Sequence, residues 1–372
     1  MKRTILFISS LFLFGSMLAS PVLGDSSEHE HTYDDEKWIN KSYKVGMDSE
    51  LEIINKYGDI VVETGQTDSI IFKIHVKVYT DKLARIDDLL DVVDVRFSSG
   101  DDYVAAETTW GNNGVSAFRV DLINVMSNNR KVEVDYHIII PEDCEIDISN
   151  KFGHVTLPTI NSTVKLDVSH GNIRARELTD VKQIKHEYGK MNIKKMRDAD
   201  LILHFADVNI DEAEQLRIES VSSEIEIEEV EKVSVDSKHD KFRIEELKTW
   251  RGNTMLSDTK IDKLTGTVNG SVKYGEFTIE AVDTRFMGIE LEGVTTDIEL
   301  GFNSQIAYHY EVELENGKRF VIPTDGNTAD ETDDSGDTHH FTGLFATMPI
   351  GGKPANVIID AKSSYVTFDI DD

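Results

Sequence analysis

A repeat of 17–18 residues constrains this chain more than any other feature. Stretches of the form apolar-x-apolar-x-x-apolar recur as Val155/Leu157/Ile160, Ile173/Ala175/Leu178, Met191/Ile193/Met196, Val208/Ile210/Ala213, Ile225/Ile227/Val230, Phe242/Ile244/Leu247, Thr259/Ile261/Leu264 and Phe277/Ile279/Val282. A looser strand precedes many of them, as in Val164-x-Leu166-x-Val168, Leu201-x-Leu203-x-Phe205 and Val233-x-Val235. Between the two strands stand turns such as Lys151-Phe152-Gly153, Ser169-His170-Gly171, Glu187-Tyr188-Gly189 and Lys273-Tyr274-Gly275, where glycine is expected to supply positive φ.

Each unit reads as two short strands and two bends. Alternation makes each strand apolar on one side and charged on the other. One coil cannot bury its own inner face, but stacked coils pair their strands in parallel and share a core. The expectation is an all-β, short-coil parallel β-solenoid. A left-handed hexapeptide helix needs an apolar residue at every sixth position, which is not the pattern here. Crossover chirality likewise favours a right-handed coil. A β-propeller is the other rival, but its blades need ~40 residues.

Residues 80–143 break the repeat. Leu83, Ile86, Leu89, Leu90 and Val93 are spaced for a helix, and residues 93–98, 103–110 and 132–140 are strand-like. We expect a helix plus antiparallel strands inserted after a first coil at 41–79, capping one end. The repeats then run over 144–305. Residues 306–372 hold a C-terminal coil, Val357–Ala361 and Tyr365–Ile370, with an acidic, mobile loop at 323–340.

Lys2 and Arg3, an apolar run from Ile5 to Leu18, and Val22 and Gly24 at the −3 and −1 positions read as a signal peptide over 1–24. The run is short for a membrane span, which needs ~20 residues. Residues 25–40 would be a flexible mature N-terminus. With 69 acidic against 39 basic side chains the net charge is −30, which excludes nucleic acid as the main partner. The single cysteine, Cys144, shares a face with Ile146 and Ile148 and reads as a small buried hydrophobe.

Leu51–Gly58 (LEIINKYG), Ile60-Val61-Val62, the helix-bearing insert, Ile138-Ile139-Ile140-Pro141, Asn150-Lys151-Phe152-Gly153 and the repeated Tyr-Gly units together resemble the DUF4097 family. These are exported, adhesin-like β-solenoid proteins common in Bacteroidetes. The resemblance spans about residues 40–372. It implies the fold and export, and no catalytic residues. Ala206-Asp207, Ser222-Ser223, His239-Asp240 and Ser257-Asp258 depart from the aromatic-glycine turn, which argues against an invariant site carried by the turns.

The residues themselves point to little chemistry. There is no Gly-x-Ser-x-Gly, His-Glu-x-x-His or phosphate-binding glycine loop. Short coils leave no long loops to wall a cleft, so we expect no enzyme and assign no catalytic, cofactor or metal residue. His29, His31, His339 and His340 read as solvated polar residues, His170 and His239 as turn residues, and His186 as a structural histidine in the inner column of Val168 and Leu203. Residues 331–337 echo a calcium loop, but Glu331 opens it and Thr342 stands at the twelfth place. Asp211, Glu228, Glu245, Asp262 and Glu280 form an acidic ladder at one bend, with Glu212, Glu229 and Glu246 beside it. Earlier coils carry Arg176, Lys194 and Lys195 there. The ladder is expected to be a solvated surface with Arg243 and Lys260 as counter-charges; weak Ca²⁺ binding is the alternative. The expected function is an exported, non-enzymatic binding or scaffolding protein. It would act in the periplasm or at the surface of a Gram-negative cell, on an envelope protein or glycan, with no transmembrane segment in the mature chain. A carbohydrate-active β-helix enzyme and a component of envelope stress sensing are the alternatives.

Overall fold

The computed structural model describes residues 33–80, 83, 86–111, 130–316, 319–323, 327–335, 337–346 and 354–371. The expected signal peptide and the residues His29 and His31 lie outside them. The described chain is nearly all β, in one large, mostly parallel sheet, with one short helix.

The stack is longest between β8 (Glu145–Lys151), β9 (Val155–Ser169), β10 (Ile173–Val221), β11 (Glu224–Lys238), β12 (Lys241–Met255), β13 (Asp258–Lys273), β14 (Glu276–Val282), β15 (Gly288–Val294) and β16 (Asp297–Asn303). These follow β1 to β7 of the N-terminal part, described below. Residues one coil apart pair in parallel: Ile173 on Val155, Ile225 on Val208, Phe242 on Ile225 and Phe277 on Thr259. Every member of the eight repeated triplets is buried, including Thr259, the one polar residue in the set. The second strands pair likewise, Val181 on Val164 and Leu216 on Val233. Cys144, Ile146 and Ile148 are all buried.

The N-terminal part extends the stack on both strand faces. β2 (Glu50–Lys56) lies between β8 and β6 (Tyr103–Trp110), parallel to both, and β6 pairs antiparallel with β5 (Val93–Ser99). β3 (Ile60–Thr64) lies on β7 (Arg130–Ile140), followed by antiparallel β4 (Ser69–Thr80) and β1 (Tyr33–Lys44). The helix α1 (Ile86–Val92) is held by buried Ile86 and Leu89. Lys37 of β1 donates to the carbonyls of Leu90 and Val93 at 2.7 and 2.6 Å, satisfying groups that a helix C-terminus leaves open. Residues 33–40 are therefore strand, where a flexible segment was expected. The edge of β4 supplies twelve residues of ladder partners to a sequence with no burial pattern of its own.

At the other end the order in space departs from the order in sequence. β17 (Ala307–Glu315), β18 (Arg319–Val321), β19 (Asn327–Ser335) and β20 (Thr338–Ala346) precede β21 (Ala355–Lys362) and β22 (Tyr365–Asp371). Yet β21 lies between β15 and β17, and β22 between β16 and β18. The last coil in sequence is thus an inner one. The acidic segment expected as a mobile loop is mostly strand: β19 pairs antiparallel with β20 from Asn327 to Ser335. That extended backbone cannot coil around a cation as a calcium loop does.

Candidate functional site

One edge of the stack is made of left-handed residues. Tyr57, Phe152, His170, Tyr188, Phe205, Ser222, His239, Leu256, Tyr274, Thr295 and Ser363 all have φ between 51 and 65°. An L-residue in this region costs about 1–2 kcal/mol. Each bend is tied to its neighbour by the backbone: the N–H of Phe152 donates to Ser169 O, that of His170 to Glu187 O and that of Ser222 to Lys238 O, at 3.0, 2.9 and 3.0 Å. Glycine does not supply the positive φ, contrary to the sequence expectation. It follows the left-handed residue and is required by close approach. A Cβ on Gly153 or Gly171 would lie 1.9 Å from the carbonyl oxygen of the preceding coil.

The left-handed position throws its side chain outward, and successive rings meet. Tyr57, Phe152, His170, Tyr188 and Phe205 form one stack. Centroid separations are 5.2, 4.9, 4.8 and 4.9 Å, and interplanar angles are 15° or less. Trp110 closes the first end edge-on at 5.6 Å. Each stacked pair contributes about 0.5–1.5 kcal/mol, which offsets the backbone strain. Phe152, Tyr188 and Phe205 are nonetheless about half exposed. Phe205, read from sequence as an inner-column residue, belongs to this outer ladder.

Beyond Phe205 the bend changes chemistry. Ser223 Oγ accepts from the Ala206 N–H, Asp240 Oδ1 from the Ser223 N–H and Ser257 Oγ from the Asp240 N–H, at 3.2, 2.6 and 3.0 Å. Buried Ser220 and the Lys238 N–H also donate to Asp240. The turns that lack glycine are therefore equivalent in conformation to those that have it. Their left-handed residues include Phe205 and Leu256, one position earlier than the sequence alignment of those turns assumed.

Lysines reach part of the acidic bend. Lys260 pairs with Glu280 at 2.5 Å and approaches Asp262 at 3.9 Å; Lys263 pairs with Glu246 and Lys195 with Glu212. Arg243 faces Glu226 on the adjoining strand face, at 3.9 Å. Among the described residues no three His, Cys, Asp or Glu side chains converge as a metal site. A shallow depression on the outer face of β11 to β14 and β16 gathers Glu226, Arg243, Lys260, Glu280 and Glu299. Carboxylates and bases share a concave surface there, as the enzyme alternative requires.

The remaining candidates separate clearly. Burial raises the Cys144 thiol to about 11, so it is no nucleophile at neutral pH. His186 is fully buried, no hydrogen bond of good geometry reaches either ring nitrogen, and burial lowers its pKa. His340 contacts Glu311 at 3.3 Å. The aromatic-glycine dipeptides were visible in sequence; the ring stack was not, because it depends on a backbone conformation that aromatic residues ordinarily avoid.

No family model matches the chain, that of the DUF4097 family included, and no curated protein matches it. Solved structures similar to it include a candidate adhesin of Bacteroides fragilis, at 10% identity over 90% of this chain and 97% of that one, with a TM-score of 0.29. A candidate adhesin of Parabacteroides distasonis matches at 10% identity over 89% and 97%, with a TM-score of 0.25. A candidate lipid-binding protein of the same species matches at 10% over 89% and 96%, with a TM-score of 0.30.

Proposed function

We propose that this chain is an exported, non-enzymatic binding or scaffolding protein of a Gram-negative cell envelope, periplasmic or surface-exposed, recognising an envelope protein or glycan. The observation that supports this reading is the exposed aromatic ladder. Five rings are held at strained backbone positions, and Phe152, Tyr188 and Phe205 among them stay about half exposed; exposed aromatic surface is what binding faces use. The stack's parallel coils give such a face length and rigidity. The reading includes removal of residues 1–24, right-handed winding, and an end cap formed by 80–143. The test is affinity capture from envelope extracts with the mature chain, with glycan binding measured in parallel. Recovery of no envelope component by the parent chain, or equal recovery by a Phe152→Ala/Tyr188→Ala variant, refutes the reading.

The depression around Arg243 and Lys260 favours a second reading, a carbohydrate-active enzyme. Release of reducing ends or unsaturated products from acidic and neutral polysaccharides, lost in Glu280→Gln, would establish it in place of the first.

A further inference from the structure

The aromatic ladder has a missing rung, and we propose that it is a binding slot for one neutral pyranose ring of a glycan. The inference rests on the binding reading above and specifies its ligand. Stacked rings cover one another's faces, so along most of the ladder only ring edges meet solvent. Phe205 is different. Its inner face lies on Tyr188, and the next rung outward is Ser222, which has the same left-handed backbone but no ring. The rung after that is His239, again left-handed and exposed. Phe205 and His239 are two coils apart, roughly 9.6 Å at ~4.8 Å per strand spacing. That is the room His170 occupies between Phe152 at 4.9 Å and Tyr188 at 4.8 Å. Phe205, Ser222 and His239 line an open depression there.

The rim selects the kind of ring. Lys190, Asp207, Glu224 and Lys241 surround the same depression. Lys190 is paired with Asp207 at 2.5 Å, and Glu224 and Lys241 are register partners on adjacent strands. With two ammonium and two carboxylate groups the rim carries no net charge, so it gives neither a cationic nor an anionic ligand a net electrostatic advantage. A purely apolar aromatic ring leaves all four without use. A pyranose presents C–H bonds to the negative face of Phe205 and hydroxyls to donors and acceptors at its edge. It is the ring that satisfies both parts of the site.

The site can be closed without harming the fold. Phe152 and Phe205 already hold this backbone conformation, so Ser222→Phe should fold and complete the stack. The mature chain and its Ser222→Phe and Phe205→Ala variants are titrated by calorimetry with cello-, laminari-, manno- and chitohexaose, and with arginine amide and tyrosine amide. At least one hexasaccharide should bind the parent at or below about 10 mM. Both variants should weaken it by roughly tenfold or more, while Ser222→Phe melts no lower than the parent. No binding of any hexasaccharide in that range, undiminished binding by Ser222→Phe, or tighter binding of either amide than of every sugar overturns the proposal. Unchanged capture of an envelope protein by Ser222→Phe would leave the broader binding reading standing while this one fell.

Discussion

His186→Leu should make the protein more stable, and more so in acid. His186 sits in an inner column on Val168, with Leu203 seventeen residues on. It is completely buried, and its ring nitrogens meet only the backbone of Val168 and Gly189, in poor geometry. An unpaired buried polar group costs about 1–3 kcal/mol and a poorly paired one less, so a leucine that fits among those neighbours should gain about 1 kcal/mol at neutral pH. The acid effect follows from linkage. Burial lowers the folded pKa below the usual 6.5, so the unfolded chain takes up a proton that the folded chain refuses. Stability is complete above pH 6.5 and is lost as pH falls toward the folded value, at about 1.4 kcal/mol per unit and at most about 2 kcal/mol by about pH 5. His186→Leu removes this loss and leaves every other titrating group in place. Urea unfolding of both proteins at about pH 7.5 and about pH 5 isolates the histidine as a difference of differences. Equal loss of stability in the two proteins between those conditions would refute the reasoning.

Ile244→Asp places a charge in a fully buried column and should cost several kcal/mol, seen as a large fall in melting temperature or failure to fold, whereas Glu226→Lys on the outward face should cost little. His170→Ala should destabilise by roughly 1–3 kcal/mol through two lost ring contacts, and His170→Gly should recover about 1 kcal/mol of that by relieving the left-handed strain; equal melting of the two variants would remove strain from the account. Because Glu228, Glu229 and Glu245 splay into solvent and Lys263 pairs with Glu246, Ca²⁺ and NaCl at matched ionic strength should raise the melting temperature equally, and a larger Ca²⁺ effect, abolished by neutralising Glu228, Glu229, Glu245 and Glu246, would mark a true cation site.

The inner columns were legible because burial imposes a period of two within a strand and 17–18 between coils, and both periods are visible in residue type alone. Ile225 and Phe242 need no structure to be recognised as neighbours. What could not be read follows from forces that leave no periodic trace. β1 is exposed along most of its length, and only the free edge of β4 makes it a strand. β19 is acidic and looks like a loop, but its ladder is a backbone property that β20 completes. The ring stack is the clearest case. Local preference at Phe152, His170 and Tyr188 opposes positive φ, and the conformation holds because the neighbouring coil supplies both a hydrogen-bond acceptor and a ring. Sequence therefore gave glycine the strained position and missed that the aromatic residue before it bears the strain.

The C-terminal coil shows why sequence order and spatial order need not agree in a stack. An open end exposes unpaired strand edges and an uncovered core. Here the last coil fills the place next to β15 and β16, and β17 to β20 are held beyond it. Phe368 is the contact point: its ring meets Phe302 at 5.4 Å, Phe320 at 5.1 Å, Tyr308 at 6.1 Å and Tyr310 at 6.3 Å. Strands on both sides thus pack through one side chain that arrives near the end of the chain. Phe368→Ala should cost about 3–5 kcal/mol, as other large-to-small changes in a core do. In a stack whose coils contact only their neighbours, that loss should stay local. Amide exchange should accelerate over residues 288–371 and remain unchanged over 145–270. Acceleration spread evenly along the whole stack would show instead that the coils unfold as one unit, and that the end closure stabilises every level of the core.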